Sequence, residues 1–310
     1  MFFVRFFLYI SVLCSACAGD ELIDAPVAPF SSDDWHISPA SVGVLANGGM
    51  TYLTLEGTTI DAYPVQWTSD DPSIATIENG TVQGVGVGQT RVTATVEGVV
   101  LEAWVGSVAT QTEAAFSEMK GLRVELARGA SMELNVGLYD VRGGVLPVTS
   151  TTYHVEPPSL LALQNGKTNT FEGIASGKAR VYAIVDGLRT SSGIVHVVSP
   201  GDGRVAVLAY PAHGPRALGS VHVQVRADAR VLVTIDPDFQ SDIVPMTELV
   251  FSKSGVVDRN VLRVGLLDNQ GGQAFVLDQG AGLYTFDWVL VWSASANVVL
   301  ARGRLTDVVP

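Results

Sequence analysis

The chain has 310 residues, a formal net charge of −12 at pH 7, and two cysteines, Cys14 and Cys17. No Lys or Arg occurs between residues 6 and 90, a stretch that contains ten acids, and this acidity excludes a nucleic-acid-binding protein, which needs a basic surface. Because both cysteines lie near the amino terminus, the globular part can hold neither a disulfide nor a thiolate metal site.

The amino terminus has the pattern of an export signal. Arg5 precedes an apolar run, Phe6–Leu13, which is shorter than the roughly 20 apolar residues that span a bilayer. The five residues that end at Cys17, LCSAC, resemble a lipoprotein box. The resemblance implies a lipoprotein-type signal peptide over residues 1–17, lipidation at Cys17, and a membrane as partner through this lipid anchor. Ordinary signal cleavage after Ala18 is the alternative.

The next segment, residues 18–34, is acidic, contains Pro26 and Pro29, and lacks periodic apolar residues. This composition predicts a disordered tether. Its negative charge would be repelled by anionic headgroups, which favours an extended stem. An acidic surface with no further role is the alternative.

A repeated pattern organises the middle of the chain. It first runs from Trp67 to Gly98 and combines an Asp-Pro-Ser turn, an Asn-Gly hairpin turn, spaced glycines and the alternation of a half-buried strand. The Asn79-Gly80 pair corresponds to Asn165-Gly166, 86 positions on. After a three-residue insertion, Gly88 corresponds to Gly177, 89 positions on. The repeat predicts two similar β-sandwiches in tandem.

Trp67, the Asp-Pro-Ser turn, Ile-Ala-Thr, Asn-Gly and Val-Thr-Ala-Thr-Val together resemble the bacterial immunoglobulin-like group 2 domains. The resemblance covers residues 35–107 and, with Tyr153 in place of the Trp, residues 119–198. It implies immunoglobulin-like domains at 35–108 and 119–198, of a kind that forms stalks or adhesive segments on cell surfaces. The pattern specifies the fold and not the ligand.

Residues 204–310 do not continue the repeat, and their short apolar and alternating runs predict a third, different β-sandwich. The segment Phe286–Trp292 is almost continuously apolar, as expected of a strand that is buried on both faces. The other predicted strands are Val205–Tyr210, Ser220–Arg226, Arg230–Ile235, Leu262–Leu267, Gln273–Leu277 and Asn297–Leu305. The predicted fold class is therefore all-β: two tandem immunoglobulin-like sandwiches followed by a third sandwich.

The end of the chain resembles the DM-thirteen family, extracellular β-sandwich domains often found beside cytochrome-type domains. The resemblance spans about residues 218–305 and rests on Tyr284, the run Val289–Trp292 and the run Val298–Ala301. It implies a β-sandwich and an electron-transfer role that depends on a cysteine after the Trp. Ser293 stands at that position, and a hydroxyl cannot undergo thiol redox chemistry. The resemblance therefore supports the fold and argues against redox activity; an unrelated jelly-roll-like sandwich is the alternative.

The sequence has no clear catalytic or metal-binding pattern. The five histidines are scattered without metal-ligand spacing, and Asp236-Pro237-Asp238, which could suggest a hard cation, is also a common turn. The sequence contains no G-x-S-x-G, H-E-x-x-H or G-K-[ST] motif. We therefore expect a protein that is not an enzyme and that has no cofactor, metal site or nucleic-acid partner.

The segment Asp236–Val257 is the longest stretch of the predicted third sandwich without a strand pattern. It mixes polar and apolar side chains in the way expected of a contact surface. The alternative is that part of it, Glu248–Ser252, forms an edge strand. The candidate binding residues are Phe239, Asp242, Ile243, Met246 and Lys253.

The sequence thus predicts an exported, lipid-anchored protein of the outer membrane or cell surface, without catalytic activity. Its immunoglobulin-like domains would form a stalk, and its carboxy-terminal sandwich (204–310) would serve adhesion or bind a protein or carbohydrate ligand. The alternative function is a component of an extracytoplasmic electron-transfer or metal-handling system that has lost its cysteine.

Overall fold

The computed structural model describes residues 35–57, 64–211, 213–277 and 281–308. The regular elements in these residues are β-strands, with no α-helix, so the predicted all-β class is confirmed. The predicted signal peptide, Cys17 and the predicted tether lie outside the described residues. We call residues 35–108 the first module, 116–198 the second module and 203–308 the third module.

In the first module, the hydrogen-bonded order β2-β9-β8-β5 forms one sheet and β3-β7-β6 forms a second, while β1 pairs with β4. Strand β2 runs parallel to β9, and the other pairs are antiparallel. The strands are β1 (Trp35–Ser38), β2 (Ser41–Leu45), β3 (Met50–Tyr52), β4 (Thr54–Gly57), β5 (Gln66–Ser69), β6 (Ala75–Glu78), β7 (Thr81–Gly84), β8 (Gly88–Val96) and β9 (Val99–Val108).

The second module repeats this topology, with the order β11-β20-β18-β15 in one sheet, β12-β17-β16 in another, and β10 paired with β13. Its parallel pair is β11 with β20. Strand β10 begins at Phe116, three residues before the predicted start of the second domain at residue 119. The strands are β10 (Phe116–Lys120), β11 (Glu125–Ala127), β12 (Ser131–Glu133), β13 (Asn135–Tyr139), β14 (Val145–Leu146), β15 (Thr151–Glu156), β16 (Leu161–Leu163), β17 (Thr170–Gly173), β18 (Gly177–Val185), β19 (Leu188–Arg189) and β20 (Gly193–Val198).

Strand register places the repeated residues at equivalent positions. Trp67 lies opposite Ala94, the sixth residue after Gly88, and Tyr153 lies opposite Ala183, the sixth residue after Gly177. Both aromatic side chains are half-buried against the core of their module. In the first module the fully buried tryptophan is a different one, Trp35, which is 1% exposed.

The third module consists of two larger antiparallel sheets, ordered β28-β24-β23-β21-β31 and β27-β26-β29-β30. The core lies between them and includes residues of every predicted strand region. The strands are β21 (Gly203–Val207), β22 (Ala217–Leu218), β23 (Ser220–Val225), β24 (Val231–Ile235), β25 (Gln240–Ser241), β26 (Thr247–Ser252), β27 (Leu262–Leu266), β28 (Ala274–Val276), β29 (Trp288–Ser293), β30 (Val298–Arg304) and β31 (Thr306–Asp307).

The first and second modules are joined by a packed junction. A Cβ atom on Gly106 would overlap the backbone of Ala115, and one on Gly43 would meet the Ala115 side chain, so these glycines let the connecting chain cross closely. The Gln89 amide also accepts from the backbone N of Arg189 at 2.8 Å and donates to its carbonyl at 2.9 Å. The Arg189 guanidinium lies over the rings of Trp104 and Tyr182, 5.1 Å and 3.7 Å from their centroids. Trp104 therefore packs between the first and second modules.

The second and third modules meet at the equivalent place. Glu125 and His196 are paired in register on β11 and β20, as Gly43 and Gly106 are on β2 and β9. The Tyr284 ring of the third module stacks on His196, with centroids 3.7 Å apart, and its backbone N donates to the Glu125 carboxylate at 2.8 Å. In both junctions, the residue pair at the same register position of the parallel strands contacts the chain that follows the module.

Candidate functional site

The predicted binding residues divide into buried and exposed ones. Asp242, Ile243, Met246 and Lys253 are exposed. Phe239 is 1% exposed and belongs to the core between the two sheets of the third module, so its prediction as a contact residue is wrong. The physical reason is that the chain turns after β24, and this turn directs the Phe239 ring inwards.

The predicted irregular segment also contains more regular structure than expected. Residues Thr247–Ser252 form β26, which lies between β27 and β29 and pairs with both. The prediction of an irregular segment is therefore wrong for these residues. The alternative, a strand at Glu248–Ser252, is confirmed, but this strand lies inside the sheet and not at its edge. Its apolar residues alternate between the two faces: Leu249 and Phe251 enter the main core, and Val250 packs on the opposite side.

What remains as a candidate site is the loop Asp242–Met246, which we call the tip loop. Its first residue is held by the segment before β22: the Asp242 carboxylate accepts from the backbone N of Arg216 at 2.8 Å. The Asp242 N–H donates to the Arg216 carbonyl, also at 2.8 Å. This reciprocal pair continues the short β22–β25 ladder and fixes where the loop begins.

The other end of the tip loop is held by serine hydroxyls. Ser293 and Ser295 both donate to the Pro245 carbonyl, at 2.8 Å and 2.7 Å. The Ala294 N–H donates to the Met246 carbonyl at 3.1 Å, and the Thr247 hydroxyl donates to the Val244 carbonyl at 2.7 Å. A loop with this many bonds at both ends has a defined conformation and presents its side chains at fixed positions.

Two large apolar side chains of the tip loop face solvent. Ile243 is 86% exposed and Met246 is 57% exposed. Removal of either apolar side chain from water, as in a contact with a partner, would be favourable. Met246 also has a φ of 53°, in the left-handed region that residues other than glycine rarely adopt. Strain of this kind, stored beside exposed apolar surface, is typical of contact loops.

Ser293, at the position of the missing family cysteine, is fully buried at the end of β29. Besides its bond to Pro245, its oxygen accepts from the backbone N of Ala296 at 3.2 Å. The hydroxyl therefore organises two loops at the same end of the third module. No sequence motif indicated this role, because the bonding partners are backbone groups.

A second candidate is a cleft of about 580 Å³ between the second and third modules, lined by Asp202, Arg204, His222, Gln224 and Tyr284 among others. Its polar side chains are bonded within the protein: Gln224 donates to the Gly201 carbonyl at 3.0 Å, and Tyr284 donates to Asp307 at 3.0 Å. The Arg204 guanidinium donates to the carbonyls of Phe286 and Leu305, at 2.9 Å and 2.7 Å. Side chains that are already paired in this way hold the junction together and leave few groups to recognise a ligand.

Two pKa values at this junction are displaced, in both cases mainly by burial. Burial raises the pKa of the Glu125 carboxyl, against the lowering effect of the backbone N–H groups of Tyr284 and Leu283. Burial, followed by the nearby Asp307 charge, raises the pKa of the Tyr284 phenol. The phenol therefore stays neutral and donates its hydrogen bond at physiological pH.

Metal ligands do not cluster in the part of the chain that the structure describes: no group of three or more His, Cys, Asp or Glu side chains could hold an ion there. His222 is paired with a single carboxylate, that of Asp236, at 3.1 Å. Within the same residues, no helix has the length and apolar character required to cross a bilayer.

Comparison with known proteins supports the sequence resemblance for the first module. Residues 33–106 match the model of the family described as bacterial Ig-like domain (group 2). No curated protein matches the chain.

Among solved structures, domains 5-6 of the S-layer protein SbsC share 19% identity, with a TM-score of 0.23 and coverage of 53% of this chain and 95% of that one. The Escherichia coli adhesin FdeC shares 13% identity, with a TM-score of 0.24 and coverage of 89% and 96%. Similarity at this level does not identify a function.

Proposed function

We propose that this chain is a non-catalytic, surface-displayed protein in which immunoglobulin-like modules carry the third module, whose tip loop contacts a protein partner. The observation that carries the proposal is the pair of exposed apolar side chains, Ile243 and Met246, on a loop fixed at both ends. A loop whose backbone is already fixed loses little conformational entropy on binding, and apolar side chains form the centre of protein interfaces. Asp242 would lie at the polar rim of such a contact, whereas Lys253 follows the opposite end of β26 and would lie outside it.

The first two modules suit a display role. Family resemblance assigns the first to a class of domains found in surface proteins, and the packed junctions would limit bending between modules. In this proposal, a lipid at Cys17 and the acidic segment 18–34 attach the modules to an outer membrane or cell surface. Replacement of Cys17 by Ser should then move the full chain from the membrane fraction to the soluble one. Unchanged fractionation would remove the lipid anchor from the proposal.

Surface display and tip-loop contact can be tested together on intact cells. The full chain is expressed with a photo-crosslinking amino acid at position 243 or, as a control, at position 163, where Leu163 is also exposed but belongs to β16 of the second module. We expect a discrete crosslinked protein adduct from position 243 only, and its loss when Met246→Asp is added. Equal adducts from both positions, or none from 243, would contradict a partner-binding tip loop. External protease should cleave the chain on intact cells if it is surface-displayed.

A further inference from the structure

Strand β3 of the first module forms the edge of a sheet. In the order β3-β7-β6 it pairs with β7, and no strand among the described residues pairs with its other side. The pairing extends beyond β3 at both ends, because the Gly49 carbonyl accepts a backbone bond at 2.9 Å and the Leu53 N–H donates one at 2.8 Å. Bonded and non-bonded pairs alternate along antiparallel strands, so Thr51 is bonded to β7, while the N–H and C=O groups of Met50 and Tyr52 point to the open edge.

The side chains on this edge are apolar and exposed. Met50 is 62% exposed and Tyr52 is 67% exposed, and both lie on the outer face of the sheet. Met50 is paired in register with Gln83, and Val85, two positions further along the chain, is exposed on the same face. The edge thus offers apolar contacts as well as backbone donors and acceptors to an added strand.

The second module has the equivalent edge with different side chains. Strand β12 pairs with β17 as β3 pairs with β7, and Ser131 and Glu133 occupy the positions of Met50 and Tyr52. Glu133 is exposed and charged, and the Ser131 hydroxyl accepts from the Gln164 amide at 2.6 Å. Charged and polar side chains protect edge strands from pairing with other chains. Because both modules have the same topology, the fold does not require apolar side chains at this edge.

The charge of the first module determines which partner suits the edge. Arg91 is the only Lys or Arg of residues 35–108, and it lies on β8 of the other sheet, 2.8 Å from the Asp70 carboxylate. The acids among the described residues of this module are Glu56, Asp70, Asp71, Glu78, Glu97 and Glu102. A module of this charge attracts a basic segment and repels a second copy of itself.

We propose that β3 binds an extended, basic segment of a protein partner, which adds a fourth strand to the β3-β7-β6 sheet. Backbone groups of the segment would bond to those of Met50 and Tyr52, and apolar side chains at alternate positions would pack beside these two side chains. Basic side chains between them would be attracted by the acidic module as a whole. A carbohydrate suits the edge less, because N–H and C=O groups that alternate along a strand match those of another strand. This site is separate from the tip loop and does not depend on the proposed contact there.

The test uses the full chain and, as the probe, the peptide Lys-Val-Lys-Val-Lys-Val-Lys with blocked ends. The peptide Val-Val-Lys-Lys-Lys-Lys-Val has the same composition without the alternation, and Glu-Val-Glu-Val-Glu-Val-Glu has the alternation with the opposite charge. We expect saturable binding of the probe alone, and weaker binding as ionic strength rises. Hydrogen exchange in the segment that contains β3 should slow when the probe is bound, because its outward N–H groups become bonded.

Methylation of backbone nitrogens distinguishes an added strand from a general attraction. Successive N–H groups of a strand point to opposite edges, so methyl groups on the valine nitrogens and on the lysine nitrogens block opposite edges of the probe. We expect one of these two methylated peptides to bind as the probe does and the other to lose binding. Equal behaviour of the two methylated peptides would contradict strand addition.

Substitutions in the full chain locate the site. Tyr52→Lys should weaken probe binding about tenfold or more, because it removes the apolar ring and places a cation beside the incoming strand. The matched control is Leu163→Lys, which makes the same change of charge at an exposed residue of β16, an edge strand of the second module. This variant and Ile243→Ser, in the tip loop, should bind the probe as the native chain does. Unaltered melting temperatures would show that the variants are folded.

Several results would overturn the proposal. One is the absence of saturable probe binding, and another is equal loss of affinity in Tyr52→Lys and Leu163→Lys. Equal binding of the peptide without the alternation would indicate a general attraction for cations. Self-association in sedimentation velocity that disappears in Tyr52→Lys would mean that β3 pairs with a second copy of this chain instead.

Discussion

The Ser293 hydroxyl illustrates how one small side chain can organise a functional end of a domain. It is buried, it donates to Pro245 in the tip loop, and it accepts from Ala296 in the next turn. A hydroxyl at this point bonds backbone groups of two different loops at once. In this chain, the position is therefore explained by hydrogen bonding of the tip loop.

Replacement of Ser293 by Ala should destabilise the third module by about 1–3 kcal/mol, because two hydrogen bonds of a buried hydroxyl are lost. Ser295→Ala is the matched control: its hydroxyl donates to the same carbonyl but its side chain is exposed, so water can replace it. Urea denaturation of the full chain, followed in the transition of the third module, measures the difference. Equal effects of the two substitutions would contradict the role given to Ser293.

The two tryptophans of the first module should differ in their contribution to stability. Trp35 is 1% exposed, so Trp35→Ala should cost about 3–5 kcal/mol, the usual range for a fully buried aromatic side chain. Trp67 is half-buried on β5, so Trp67→Ala should cost less. Calorimetry of the full chain can compare the two melting temperatures. A larger loss for Trp67→Ala would mean that burial does not determine their contributions.

At the scale of secondary-structure elements, the hairpin turns of the repeat show equivalent residues with different surroundings. Glu97-Gly98 joins β8 to β9 with φ values of 47° and 80°, and Asp186-Gly187 joins β18 to β19 with 48° and 87°. These are the positive angles of the turns that favour tight hairpins. The Asp186 carboxylate additionally accepts from the backbone N of Thr149 and of Ser150, at 2.9 Å and 2.6 Å.

This difference predicts acid sensitivity in the second module. Bonds from Thr149, and then from Ser150, lower the pKa of Asp186 from 3.8 to about 2. A lowered folded-state pKa contributes stability above the unfolded value, and this stability is lost as the pH falls from about 3.8 to about 2. The melting temperature of the native chain should therefore exceed that of Asp186→Asn at neutral pH and approach it in acid. Glu97→Gln, at the equivalent turn of the first module, should not reproduce this pattern.

The strands were predictable from the sequence where alternation or repetition was strong. The repeat established the two similar topologies, and the predicted strands of the third module all correspond to observed ones. Strand β26 was predicted only as an alternative, the edge strand Glu248–Ser252, because its sequence TELVFS follows an irregular stretch and its apolar residues pack in two separate clusters. Phe239 was predicted to be a contact residue, because the local sequence pattern does not distinguish a turn residue with a buried ring from one with an exposed ring. The anchoring of the tip loop could not be predicted, because it depends on residues that are 26, 48 and 50 positions apart.

At the scale of the whole molecule, the two junctions lie at equivalent positions of their modules but are formed by different contacts. Gly43 and Gly106 accept a close backbone crossing, whereas Glu125 and His196, at the equivalent positions, accept the Tyr284 ring and its backbone N–H. Modules joined in this way are not interchangeable, because each end fits only the segment that follows it. The order of the modules is thus specified by local packing as well as by the covalent chain.

A substitution at Gly106 should uncouple the first two modules. The side chain in Gly106→Val would overlap Ala115, and overpacking of this kind costs about 1–3 kcal/mol. We expect the melting transitions of the first and second modules to separate in calorimetry. Val100→Ala, at an exposed position of the same strand, should leave the transitions unchanged. A single, unshifted transition in Gly106→Val would show that the modules are not coupled through this crossing.

The parallel pairing of β2 with β9, and of β11 with β20, has a mechanical consequence. When a module is pulled by its two ends, force passes through the preceding strand, β1 or β10, to the start of the first strand of such a pair, and it leaves at the end of the second. These points lie at opposite ends of a parallel pair, so the interstrand hydrogen bonds are loaded together in shear rather than opened one after another. If the chain is attached at its amino-terminal side and holds a partner at its tip loop, tension between cell and partner is carried by these two parallel strand pairs in series.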